Sequence, residues 1–165
     1  MTPNTPDRLD RILAQWHDER PDLDVAPLGL LGRLLLTAQL ADATLATGLV
    51  KHGLQPGWFD LLAALRRSGK PYELNPTELM RATMLSSGGI TKRLDRLVEA
   101  GLIERRADPD DRRGTLVGLT RRGKASIDAA MATHVANEEL LLARLSRSDR
   151  QRLDELLRAL LIDLD

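Results

Sequence analysis

Between Asn75 and Thr120 the chain changes structural state five times, and its turn and cap residues mark where. Asn75-Pro76-Thr77-Glu78 supplies a cap residue, a proline at the first helical position and a glutamate three residues after the cap, so a helix starts there. It can run only to about Thr83, before the turn Met84-Leu85-Ser86. Ser86 or Ser87 then caps a second helix that ends at Ala100, with Gly101 just beyond its end. Leu102 to Arg106 reads as a strand and Ala107 to Gly114 as a charged turn. Thr115 to Leu119 reads as the returning strand. No large sheet and no long bundle fits into this stretch.

A short helix, a tight turn, a second helix and a charged hairpin make a winged helix-turn-helix. Its second helix can enter a DNA major groove, which is roughly 12 Å wide. The helix opens Ser87-Gly88-Gly89-Ile90-Thr91-Lys92-Arg93. Ser86, Ser87 and Thr91 can bond phosphates, and Gly88 permits close approach to the backbone. Lys92 and Arg96 are long enough to reach bases or phosphates, while Leu94, Leu97 and Val98 are expected to face the core. The hairpin tip offers Arg112 and Arg113 to the adjacent minor groove, with Asp111 bracing Arg113.

The flanking sequence is helical in character. Leucine occurs 34 times, and Trp16, Trp58, Phe59 and Tyr72 are the only aromatic residues. A Leu/Ala core with so few β-branched or aromatic side chains argues against a β-sandwich. Asp7 to Arg20 reads as a short helix carrying Leu9, Ile12, Leu13 and Trp16 on one face. A long helix over 28–51 is apolar on more than one face and needs burial by its own domain or by a second subunit. Pro56 opens a helix to Gly69, and Tyr72-Glu73-Leu74 is a short extended piece. Thr120 caps a long helix to about Leu145, and Ser148-Asp149-Arg150-Gln151 opens a leucine-rich last helix. The expected fold is mainly α with a small β-hairpin, a winged helix-turn-helix with long dimerisation helices. The expected division is an N-terminal extension helix over 1–26, the DNA-binding domain over 56–120, and dimerisation helices over 27–55 and 121–165.

The formal net charge is zero, from 24 basic and 24 acidic residues. That sum hides an uneven distribution. Residues 86–124 hold ten basic and six acidic groups, whereas both ends of the chain are acidic. A localised basic stretch suits double-stranded DNA. With no cysteine, disulfides, iron–sulfur clusters and thiol chemistry are excluded. No apolar run reaches the roughly 18 residues that would suggest a membrane span. The N-terminus is polar, so the expected location is the cytoplasm. His134 and Glu138 stand four residues apart, but no further His/Glu cluster supports a metal site, and Asp108, Asp110 and Asp111 lack the calcium-loop pattern. No nucleophile–base pair or phosphate loop points to an enzyme, and no cofactor is expected. The alternative to DNA binding is a winged-helix module that binds another protein.

The segment Thr83 to Gly123, TMLSSGGITKRLDRLVEAGLIERRADPDDRRGTLVGLTRRG, resembles the MarR family of dimeric transcriptional regulators. The resemblance extends over roughly residues 28–165. It implies a homodimer built from the first and last long helices, binding a near-palindromic operator and most often repressing. A narrower resemblance is to the urate-responsive subgroup of that family, which has an extra N-terminal helix. In that subgroup Trp, Asp, Arg and Arg are associated with an anionic ligand, and the matching residues here are Trp16, Asp60, Arg93 and Arg105. The resemblance implies a small organic anion such as urate as effector. Two guanidinium groups can hold a planar anion and an indole ring can stack on it.

Overall fold

A computed structural model describes residues 5–55, 57–83, 89–111, 113–162 and 164 of the chain. The chain divides into two compact units, Met1–Thr44 and Leu45–Asp165, with the boundary inside a helix.

The N-terminal unit contains α1 (Arg8–Glu19) and most of α2 (Ala26–Val50). Asp7 caps α1 by accepting from the backbone N–H groups of Leu9 and Asp10, and the Asp10 carboxylate reaches back to the Asp7 N–H. The helices approach closely because α2 has glycine where α1 leans on it. A Cβ at Gly32 would stand 2.7 Å from Leu9 Cδ1, and one at Gly29 would stand 2.7 Å from Leu13 Cδ1. Arg33 ties the two together, with Nε 2.7 Å from Asp7 Oδ2 and Nη2 2.6 Å from Asp10 Oδ1. The Arg33 guanidinium lowers the Asp7 pKa from 3.8 to about 2. A depressed folded pKa contributes stability above the ordinary value, and that stability is lost as pH falls through the folded one. The docking of α1 on α2 is therefore expected to hold above pH 3.8 and to weaken as pH falls toward about 2. Fluorescence of Trp16 should follow that loss, and Asp7→Asn should abolish it as a separate transition.

The second unit contains α3 (Trp58–Arg67), β1 (Glu73–Leu74), α4 (Pro76–Arg81), α5 (Ile90–Glu99), β2 (Ile103–Ala107), β3 (Thr115–Leu119), α6 (Arg121–Leu142) and α7 (Arg147–Ile162). Its core joins Leu61, Leu62 and Leu65 of α3 to Leu79 of α4, Leu97 of α5, Ile103, Val117 and Ile127, all fully or almost fully buried. The sheet is antiparallel with order β1-β3-β2. The expected hairpin is thus one strand larger: the extended piece at Tyr72-Glu73-Leu74 pairs Glu73 with Gly118 and Leu74 with Val117. A two-residue strand has no periodicity to read, and only its partner makes it a strand.

Several boundaries differ from the sequence reading. The N-cap of α5 is Gly89, at φ 84°, rather than a serine, and Ser86 and Ser87 lie outside the described residues. The N-cap of α3 is Gly57, at φ 77°; Pro56 also lies outside the described residues. The last helix starts two residues earlier than Ser148 suggested. The Ser146 hydroxyl accepts from the Asp149 N–H at 3.1 Å, and the Ser146 carbonyl accepts from the Arg150 N–H at 3.0 Å. Arg150 also donates to the Leu145 carbonyl and pairs with Glu139 of α6, which holds this register. Val98 does not join the core: it is 38% exposed, while Leu94 and Leu97 are buried.

The long helices α2, α6 and α7 leave apolar side chains uncovered within one chain, those of α6 including Val135, Leu140 and Leu141. In α2, Leu30, Leu35 and Leu40 are exposed, Leu35 to 70%. In α7, none of the residues is buried, and Leu156, Leu160 and Leu161 face outward. By length and composition alone, α2 is long and apolar enough to cross a membrane, in contrast to the sequence expectation. Arg33 and Asp42 interrupt that run.

Candidate nucleic-acid interface

The helix pair is set by local capping and by one long arginine. The Asn75 side chain accepts from the Glu78 N–H at 2.9 Å, and the Glu78 carboxylate accepts from the Asn75 N–H at 3.1 Å. At the far end of α4, Arg67 of α3 donates to the Ala82 carbonyl. α5 then follows with Ile90, Leu94 and Leu97 turned into the core. The 3.6-residue period leaves Thr91, Lys92 and Arg96 on the opposite, exposed face. This is the face expected for groove contacts. Ser86, Ser87, Gly88 and Arg112 lie outside the described residues.

The hairpin tip is closed by its own acids. The Asp108 side chain accepts from the Asp110 N–H at 3.0 Å, and that of Asp111 accepts from the Arg113 N–H at 2.9 Å. Asp111 therefore braces Arg113 through its backbone and leaves the guanidinium exposed. Gly114 is required here because a Cβ would fall 2.8 Å from Asp108 Cβ and 3.0 Å from Asp111 Cβ. These carboxylates act as turn caps. Among the described residues, no group of three or more His, Cys, Asp or Glu side chains is placed to hold a metal ion. The His134 ring nitrogen Nε2 instead lies 3.2 Å from Glu138 Oε1.

Of the residues matched to an anionic ligand, Asp60, Arg93 and Arg105 belong to the second unit and Trp16 to the first. Arg93 lies over Gly57: a Cβ there would be 2.9 Å from Arg93 Nε, so this arginine needs glycine at the head of α3. Asp60 is half-buried in the first turn of α3. Arg105 is engaged by Asp95 of α5 at 2.8 Å, an ion pair joining the second helix to the hairpin. Trp16 belongs to the N-terminal unit and is 43% exposed, so it is not a core residue of this chain.

The Asp95–Arg105 pair was not foreseen, nor was the pairing of Arg106 with Glu73. The one sequence signal for the second was Gly118, a glycine inside a strand pattern, which marks a close approach.

A short capped helix, an exposed polar face on the next helix and a hairpin tipped with arginine define a winged-helix DNA-binding protein. The MarR family model matches residues 52–114. The chain is 39% identical over 146 residues to the HTH-type transcriptional regulator PecS of Dickeya dadantii, covering 88% of each. Its structure is similar to that of a probable transcriptional regulator from Pseudomonas aeruginosa, with TM-score 0.67, 33% identity, and coverage of 77% of this chain and 92% of that one. It is also similar to a mutant MarR from E. coli complexed with operator DNA, with TM-score 0.71, 28% identity, and coverage of 88% and 97%. The chain belongs to the MarR family, and it is a DNA-binding transcriptional regulator.

Proposed function

We propose that this regulator is a cytoplasmic, non-enzymatic homodimer that represses from a near-palindromic operator and is released by a small anion. The observation that carries the reading is the exposed Thr91–Lys92–Arg96 face of α5, presented beside a hairpin with an exposed Arg113. Ser86, Ser87, Gly88 and Arg112 complete the proposed DNA-contacting set on sequence grounds. The uncovered leucines of α2 and of α7 support a second copy as their cover, which assigns 27–55 and 121–165 to dimerisation, 56–120 to DNA and 1–26 to an extension.

Asp60, Arg93 and Arg105 are the proposed effector residues of the second unit, and Trp16 remains a candidate on sequence grounds alone. The Asp95–Arg105 pair gives the anion a route to differential affinity. An anion that takes Arg105 competes with Asp95 and loosens the recognition helix from the hairpin strand. Only such a difference between states can shift the equilibrium, and a tenfold shift needs about 1.4 kcal/mol.

Operator binding to DNA flanking the gene, measured across a salt series, tests the reading. The logarithm of affinity should fall linearly with the logarithm of salt, and Lys92→Ala should reduce the slope by roughly one. Urate should release the operator from the parent and not from Arg93→Ala. A flat salt response would sink the DNA contacts, and indifference to urate and related anions would sink the effector.

A further inference from the structure

We propose that Glu73, Gly118 and Arg106 form a clamp that sets the angle of the hairpin, making Glu73 and Arg106 positioning residues for the minor-groove contact. Alternate residues of a strand face opposite sides of a sheet. Arg105 therefore points to the core face, where it meets Asp95, while Arg106 points to the outer face. On that outer face Glu73 of β1 reaches across the middle strand to Arg106 of β2. Arg106 Nε lies 2.9 Å from Glu73 Oε1, and a second guanidinium nitrogen bonds the other carboxylate oxygen.

Gly118 is what lets the carboxylate cross. It is the register partner of Glu73 on β3, and a Cβ there would stand 2.8 Å from Glu73 Cγ. A glycine inside a strand weakens it, so the sheet gives up packing to admit this side chain. Most surface ion pairs contribute little because both partners stay solvated. Here the Glu73 side chain is only 16% exposed and the contact is two-pronged. Arg106 holds the Glu73 carboxyl below the usual carboxylate range.

The position of the pair in the chain gives it its role. β1 leads directly into Asn75, the cap of α4, so Glu73 belongs to the segment that feeds the helix pair. Arg106 belongs to the strand that ends in the hairpin tip. Locking them together makes the two groove-facing parts one piece. Arg106 is thereby a cation directed to the protein's own sheet rather than to a phosphate.

This inference rests on the proposed role of Arg113 in the minor groove, and opposite signs separate it from plain electrostatics. Glu73→Gln takes the formal charge from zero to one positive and releases Arg106. If these were only surface charges, the variant would bind DNA more tightly. As a clamp, it should bind operator roughly tenfold more weakly, the loss of one groove contact. Minor-groove protection at the flank should vanish, while non-specific DNA binds as well as before or better. The reversed pair, Glu73→Arg with Arg106→Glu, should restore operator affinity and protection. Operator affinity equal to or above the parent, with protection intact, overturns the clamp. So does a large fall in melting temperature that accounts for the lost binding. An Arg113→Ala arm tells the two failures apart. If it keeps minor-groove protection, the tip reading falls and takes the clamp with it. If Arg113→Ala loses protection and Glu73→Gln does not, the clamp alone falls.

Discussion

Gly123→Ala is expected to cost several kcal/mol of stability and to leave little folded protein at physiological temperature. In an ordinary helix interior the same change stabilises by up to about 1 kcal/mol. The sign reverses because of what faces the Cβ. Gly123 sits in the first turn of α6, and a Cβ there would stand 1.8 Å from the Leu102 carbonyl oxygen and 2.8 Å from its carbon. Neither atom belongs to a flexible side chain. The Leu102 carbonyl accepts from the Thr120 N–H at 3.1 Å and from the Thr120 hydroxyl at 3.1 Å. The same hydroxyl shares its single hydrogen with the Gly101 carbonyl at 2.8 Å and accepts from the Gly123 N–H at 2.9 Å. Moving the carbonyl away would break the N-cap of α6 and the junction of α5 with β2 together. Chemical denaturation with circular dichroism measures the loss. A midpoint equal to the parent's would show that the helix and the strand can part without cost.

Leu156→Asp combined with Leu160→Asp is expected to turn the proposed dimer into a monomer and to weaken operator binding by about a hundredfold or more. These residues stand four apart on α7, so they share a face, and both are exposed within one chain. In a true monomer, two such surface changes would alter stability by only about 0.5 kcal/mol each. Against a second copy they bury two carboxylates in an apolar interface, which is costly without partners. A monomer reaches one half-site only and loses the gain of binding two at once. Sedimentation across a concentration series reports the first effect, and operator titration reports the second. A variant that stays dimeric would place the interface elsewhere, with the exposed leucines of α2 as the next surface to test.

Local structure was legible where neighbouring residues decide it. The capping box at Asn75, the Thr120 cap of α6 and the glycine after α5 depend on contacts spanning three or four residues, and the sequence shows them directly. The apolar helices α2 and α7 were legible as well, since a leucine-rich face announces itself whatever covers it. At the last helix local pattern was not enough: the sequence points to Ser148 as the cap, whereas Ser146 caps it, with Arg150 paired to Glu139 across the α6–α7 turn.

The residues of the candidate site were legible as types and not as pairs. Thr91, Lys92 and Arg96 follow from helical period, because one side of α5 must be the core side. Arg105 and Arg106 are adjacent in sequence, yet one holds the recognition helix through Asp95 and the other holds β1 through Glu73. Which carboxylate each arginine meets depends on strand register and on a glycine that opens a path across the sheet, and both are long-range facts. The sequence alone therefore determined the caps at Asn75 and Thr120 and the burial of Leu94 and Leu97 against the exposure of Thr91, Lys92 and Arg96, through interactions that close within one or two turns. Tertiary structure alone decided how those parts are aimed, because aim is set by contacts between residues far apart in the chain.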